Sequence, residues 1–513
     1  MTTEHRLPRF LAAGIGILAV AAAVAVGHLV AAFTGAGSSP FLAVGDTVIR
    51  FSPQFLTEFA KTTFGTADKP VLLGGMAVVI LAAAVVAGLL ARRRPGPGLV
   101  AVVALGLLGL VTVVAAPTFR ALDLLAPLVS LVVGPAVFLG LHRLARRADG
   151  VEPHGLSRRA ALVGAMAAVA VVAVASGVGG LLAGSGLAES RARVTDRLAR
   201  ARIAQRAPAI PAGVDFAEFG TPTFLTSNAD FYRIDVALRV PELRAEDWSL
   251  RIHGMVDREL TLTLDDLLAR PLVERTVTMT CVSNPIGGDL VSTATFTGID
   301  LRDLLRDVGV RPGAEQIFAT SVDGWTAGTP TDVVMEPDRG AMLAVGMNGE
   351  ALPPEHGFPV RMLVPGLYGF VSATKWLVDL ELTTFADRRA YWLERGWSER
   401  APIKTQSRID FPRGFQTVPA GRVRCAGIAW SQPTGVSRVE VRMDGGPWRP
   451  ATLTIELSGR TWRMWTVDFD LTPGSHTVQV RASDVNGTVQ TEQRTDPIPD
   501  GASGWPATIF TVG

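Results

Sequence analysis

Apolar residues form long unbroken runs through the first third of the chain and fall at alternate positions through much of the rest. Five runs, at 10–33, 71–91, 98–116, 122–141 and 160–182, are long enough to cross a bilayer as helices. Pro127 and Pro135 interrupt the fourth, which a membrane helix tolerates when its neighbours satisfy the released carbonyls. An Arg/Ala-rich amphipathic stretch over 189–206 predicts a helix leaving the membrane, and APAIPAG at 207–213 reads as a linker.

From residue 228 the pattern changes. NADFYRIDVALRVPELRAEDWSLRIHGMV predicts strands with a turn around 241–247, and short strands, loops and isolated helices continue to about residue 384. No regular βαβ alternation appears, which argues for a mixed α+β domain. Within it, VERTVTMT at 273–280 has the β-branched alternation of a half-buried strand and delivers Cys281 into the loop SNPIGGD. FTGIDLRDLLRDVGV then predicts a short amphipathic helix with Asp300 as its early cap. From Gly414 onward, alternating segments are separated by the turns DGG, TPG and VNG about ten residues apart, the pattern of a β-sandwich that buries or flanks Trp430, Trp448, Trp462 and Trp465. The expected architecture is multi-domain: a five-span α-helical transmembrane region (1–185), a linker (186–213), an α+β domain (214–405) and an immunoglobulin-like β-sandwich (406–513).

Charge refines this picture. Net charge is only +2 over 513 residues, which gives no case for nucleic acid. Arg6 and Arg9, then Arg92, Arg93 and Arg94, then Arg143, Arg146, Arg147, Arg158 and Arg159 all fall on one side if the five spans alternate. The positive-inside rule makes that side cytoplasmic and puts everything after Leu182 outside the plasma membrane. Ser157, Arg158, Arg159 and Leu162 read either as an internal twin-arginine export signal or as a basic flank that fixes topology. The spans carry almost no ionisable residue, which argues against transport.

Two cysteines far apart make no disulfide framework. Cys425, in GRVRCAGIAW, reads as a core residue of the β domain. Cys281 reads either as a small buried hydrophobe or as a thiol facing a ligand across its Gly-rich loop. The chain holds no CxxCH for covalent haem, and His28 and His142 fall near opposite bilayer faces, where they cannot share one haem. The membrane region therefore reads as an anchor or docking surface.

The motifs TCVSN (280–284), SVDGWTAGTP (321–330) and MNGEALPPEHGFPVRMLVPGLYGFVSATKW (347–376) occur in order, and with them the chain from 228 to its end resembles the sulfite oxidase family of molybdopterin enzymes. The resemblance implies a molybdenum–molybdopterin cofactor with Cys281 as the thiolate ligand of the metal, and it puts Tyr368 among the catalytic residues. It implies pterin contacts at Tyr232, Arg233, Asn284, His356, Arg361 and Ser372 to Lys375, and at Ser321 or its neighbour Thr320. Asn284 and Gly287 shape the cysteine loop. Arg361 suits the cofactor phosphate as a fork and Lys375 as a point charge. It further implies oxygen-atom transfer on a small oxyanion or sulfur-oxo substrate, a separate electron-transfer partner (a cytochrome or a quinone system), and a sandwich of the kind that forms homodimers.

Two departures qualify the resemblance. VSATK is one residue longer than the usual loop. CVSNPIGG also has Ile286 and no basic residue before Arg302, where sulfite oxidases carry an Arg for the anionic substrate. Arg233, Arg339 or Arg400 are the candidates to supply that charge. The rival readings are a sulfoxide or other oxo-acceptor reductase on the same centre, and a cofactor-free binding module that keeps the fold.

Overall fold

The computed structural model describes residues 6–53, 56, 59, 63–64, 68–116, 119–148 and 186–513. The expected fifth span, 160–182, and the Arg158–Arg159 pair lie outside the described residues. The chain divides into two compact units, one of residues 1–189 with 236–242, the other of 190–235 with 243–513.

In the first unit, four helices among the described residues are long and apolar enough to cross a membrane: Arg9–Thr34, Lys69–Leu90, Pro95–Val114 and Ala121–Arg146. Ala12, Ile15, Ala19, Ala84, Ala87 and Phe138 pack in their core. Gly16 and Gly88 allow the first two helices to cross closely, because a Cβ at either would strike the carbonyl oxygen of Ala84 or Ala12. Val78, Val79, Val100, Val111 and Val132 remain exposed, as lipid-facing positions would be. Each membrane-region histidine has a local partner: Nδ1 of His28 is 3.2 Å from Ser39 Oγ, and Nε2 of His142 is 2.9 Å from Ala91 O.

The second unit begins in a helix over 186–200 and contains two sheets before the sandwich. In the first, β1 (Ile203–Gln205), inside the expected linker, lies parallel to the start of β4 (Leu272–Thr280). β5 (Val291–Asp300), β8 (Met342–Met347) and β10 (Arg361–Leu363) follow antiparallel in that order, with β9 (Glu350–Ala351) on β8. Every residue of β8 is buried, as a central strand covered on both faces requires. The second sheet runs β3 (Leu260–Thr263), β2 (Ser249–Gly254), β11 (Leu377–Thr383), β6 (Gln316–Ser321) and β7 (Thr326–Pro330). Asp300 caps the helix Leu301–Val308 as expected, its carboxylate accepting from Asp303 N–H at 3.1 Å. FTGID itself belongs to β5, so the helix starts later than the sequence pattern suggests.

Residues 228–240 do not form the expected strands. Their polar backbone groups are used in long-range contacts instead: Asn228 O accepts from His356, and Tyr232 N–H donates to Ser292 Oγ.

After residue 405 two further sheets face each other. One is β12 (Gln406–Phe411), β14 (Gly421–Trp430), β18 (Arg463–Leu471) and β17 (Thr452–Leu453). The other is β13 (Thr417–Val418), β20 (Ala507–Val512), β19 (Gly474–Asp484), β15 (Val436–Met443) and β16 (Arg449–Pro450). Cys425, Val439, Val441, Trp465, Val480 and Phe510 form the core between them. Burial pushes the Cys425 thiol up to about 12, so it stays a neutral core group. Cys425→Ser puts a hydroxyl in that core and is expected to cost about 1–3 kcal/mol. Calorimetry should find a lower Tm.

Candidate functional site

β4 brings the site together. Its alternating Thr and Val/Met residues pair through Thr280↔Val291, and the chain turns at the next residue. Cys281 N–H donates to Leu290 O at 3.0 Å, and Asn284 N–H donates to Cys281 O at 3.1 Å. Asn284 Oδ1 accepts from Leu290 N–H at 2.9 Å, so one short side chain closes the loop across its base. Gly287 sits inside it at φ +72°, a conformation that favours glycine. Cys281 itself is buried, 9% exposed.

Charged and aromatic groups from distant segments meet around this loop. Arg361, the first residue of β10, is 4% exposed. Its guanidinium donates through Nη1 to His356 O at 3.2 Å and lies 5.8 Å from the Phe296 ring centre. Burial pulls its pKa down to about 10. Burial, and then the Arg361 charge, pull His356 down to about 4, so its ring is neutral at pH 7. His356 Nε2 lies 3.0 Å from Asn228 O, and its ring meets Phe231 edge-on at 5.3 Å. Phe231 in turn stacks on Tyr232 at 5.4 Å. Burial raises the Tyr232 phenol; the Cys281 charge raises it further and Arg361 opposes that. The three groups therefore share one electrostatic neighbourhood.

Lys375 Nζ donates to Asp235 Oδ2 at 3.2 Å and to Glu355 O at 3.0 Å. Burial draws it down to about 8 against the opposing pull of Asp235. Asp323 belongs to the same electrostatic group. Burial raises its carboxyl, the Ser321 hydroxyl opposes the rise, and the Asp235 and Lys375 charges act on it in opposite senses. Tyr368 is 1% exposed, its hydroxyl 3.5 Å from Lys404 N–H. Burial raises its phenol, with smaller contributions from Asp500 and Cys281.

The structure thus gathers Cys281, Tyr232, His356, Arg361 and Lys375, with Asn284, Ser321 and Tyr368 at the edges. Two expected contacts are already committed to protein partners, and Arg233 shares its carboxylate partner with Lys375. Ser372 Oγ is 3.0 Å from both Leu367 O and Tyr368 O, and Arg233 is an exposed side chain held by Asp235 at 2.8 Å. Asp235 and Asp323 were missed. The signal for Asp235 was its place two residues after Arg233 in FYRID, the spacing of an extended-chain ion pair.

A profile of the oxidoreductase molybdopterin binding domain matches residues 237–392. The chain is 30% identical over 309 residues to the mitochondrial sulfite oxidase of Macaca fascicularis, covering 51% of this chain and 56% of that protein. It is 29% identical over 306 residues to the sulfite oxidase of Gallus gallus, covering 50% and 66%. Residues 237–392 are thus a molybdopterin-binding oxidoreductase domain of the sulfite-oxidase-like type. Its cofactor is molybdenum–molybdopterin. The NADH nitrate reductase of Spinacia oleracea is also similar, 27% identical over 50% of this chain and 34% of that one. The chain spans about half the length of the curated relatives it matches. Among solved structures, the sulfane dehydrogenase SoxCD of Paracoccus pantotrophus aligns with TM-score 0.49 at 22% identity, over 60% of this chain and 88% of that one.

The side chains around Cys281 fit such a group. Thr280 Oγ1, Asn284 Nδ2, Arg361 Nε and Thr374 Oγ1 are buried without a hydrogen-bond partner. Buried polar atoms are rarely left so, because each costs about 1–3 kcal/mol. Four of them, on the cysteine strand, its loop, β10 and the Lys375 segment, suit a large polar anionic ligand in this sulfite-oxidase-like domain.

The buried histidine predicts an acid response. An imidazole held near 4 in the fold and near 6.5 when unfolded leaves the unfolded chain binding more protons between those values. Stability of the cofactor-stripped protein should be complete above about pH 6.5 and fall by ~3 kcal/mol as pH drops toward 4. Urea midpoints measured across that window should flatten in His356→Gln.

Proposed function

We propose that the protein is a membrane-anchored molybdenum oxidoreductase that performs sulfite-oxidase-like oxygen-atom transfer, with the Cys281 thiolate as the protein ligand of the metal. The observation that carries this is the set of partnerless buried polar atoms beside a cysteine at a strand exit. A soft thiolate is a strong donor to a high-valent metal, and coordination keeps it deprotonated. A molybdenum–molybdopterin group bound here would supply two-electron oxygen-atom-transfer chemistry, with a separate cytochrome or quinone system as its partner for electrons. Arg361 would hold the cofactor phosphate with a buried forked cation, and Lys375 would add a point charge steadied by Asp235. Neutral His356 offers a ring nitrogen, and Asn284 holds the loop. Tyr368 brings a protonated phenol to the same region.

The arginine distribution favours a catalytic unit outside the plasma membrane, and the two-sheet C-terminal region favours an immunoglobulin-like domain that mediates a homodimer. One observation favours a second reading of the substrate. Arg233, Arg339 and Arg400 are each ion-paired, with Asp235, Glu336 and Asp332. With Ile286 after the cysteine, this suits a neutral sulfoxide or other oxo acceptor better than a dianion.

The test uses the full chain in detergent. Molybdenum should be present near one per chain, with a pterin fluorescent after oxidative release. Turnover is then compared on sulfite and on a panel of sulfoxides. Absence of both metal and pterin from protein made in a molybdenum-replete host would end the proposal.

A further inference from the structure

The edge of β4 is covered in an unusual way. β1 pairs only with its first two residues, at Leu272 and Val273. Near the cysteine, the same edge is satisfied by the sandwich. Thr278 N–H donates to Arg460 O at 3.0 Å, and Thr278 O accepts from Gln432 Nε2 at 2.6 Å. The other end of that amide is equally committed, since Gln432 Oε1 accepts from Gly366 N–H at 3.1 Å. Gln432 is 4% exposed and lines one narrow cleft with Thr280, Gly366, Gly369 and Ser372.

We infer that Gln432 is a positioning residue of the sandwich that sets the distance between the cysteine strand and the Tyr368–Lys375 segment. This rests on the functional reading above. The amide bridges a carbonyl three residues before Cys281 and an N–H two residues before Tyr368. It is the right group for the task, with one donor and one acceptor end at a fixed separation. A buried amide bonded at both ends is rigid, whereas losing either bond strands a backbone group. The geometry around the metal is thereby held by a side chain from another domain, 154 residues away from Thr278 in the chain.

Two variants test this. Gln432→Met fills the same volume without either bond. Gln432→Glu restores both bonds only as the neutral acid, whose hydroxyl donates to Thr278 O while its carbonyl accepts from Gly366 N–H; a carboxylate would face the Thr278 carbonyl in repulsion. Molybdenum retention and the electron paramagnetic signal of the one-electron-reduced centre are measured from about pH 5 to about pH 9, a range that brackets a buried glutamate. Gln432→Met should lose at least about tenfold in retention, or show an altered signal, at every pH. Gln432→Glu should match wild type at the acid end and move to the Met behaviour as pH rises, a rescue that general destabilisation does not give. A Gln432→Met protein like wild type, or a Gln432→Glu protein without acid rescue, overturns the inference. Wild-type protein without molybdenum overturns the functional reading instead.

Discussion

Cys281→Ser is expected to lower molybdenum content, and with it oxygen-transfer activity, at least about a hundredfold, the lower bound being the loss typical of residues that only support a ligand. A serine hydroxyl is hard and stays protonated near neutral pH, whereas a thiol yields a soft anion to the metal. The loop should survive the change. Its closing bonds run between the Cys281 and Leu290 backbones and the Asn284 side chain, and none uses the sulfur. Circular dichroism and Tm should therefore stay near wild type while metal analysis falls. Equal molybdenum and equal turnover in the two proteins would remove the thiolate from the mechanism.

Arg361→Met should separate cofactor binding from folding. In the protein without its cofactor, the guanidinium is buried, its pKa is drawn down to about 10, and its Nε has no partner. A methionine of similar reach removes the desolvation cost, so the stripped variant should be more stable than stripped wild type by about 1–3 kcal/mol. With cofactor present the sign reverses. Losing a buried charge from an anionic group costs about 2–5 kcal/mol, and the pterin should dissociate correspondingly faster. Denaturant titration of both forms reads the two effects, and a variant less stable in both would mean that Arg361 serves packing rather than the ligand.

Local pattern carried much of this architecture. VERTVTMT was legible as a strand from its β-branched alternation, but the half-burial that alternation predicts was not met: Thr276 to Thr280 are buried on both faces, the Thr face through the Thr276–Thr295 and Thr278–Thr293 hydroxyl pairs. Asp300 was legible as a cap, and Cys425 as core, because each is decided by neighbours within a few residues. The segment from 228 to 240 was misread for the opposite reason. Its alternation is as good as that of β2, but its hydrogen bonds go to Ser292 and His356, whose positions no local pattern reports. The site had the same character. Cys281, His356 and Arg361 were found through motifs, whereas the pairing of Lys375 with Asp235 spans 140 residues and depends on tertiary closure.

The parallel pairing of Ile203 and Gln205 with Leu272 and Val273 has a practical reach. Trimming the chain to a soluble fragment that starts at 214 would strip a bordering strand from the sheet that ends in the cysteine. The bared hydrogen-bonding rim invites intermolecular β-pairing, so such a fragment should clump, while one starting near 186 should stay dispersed.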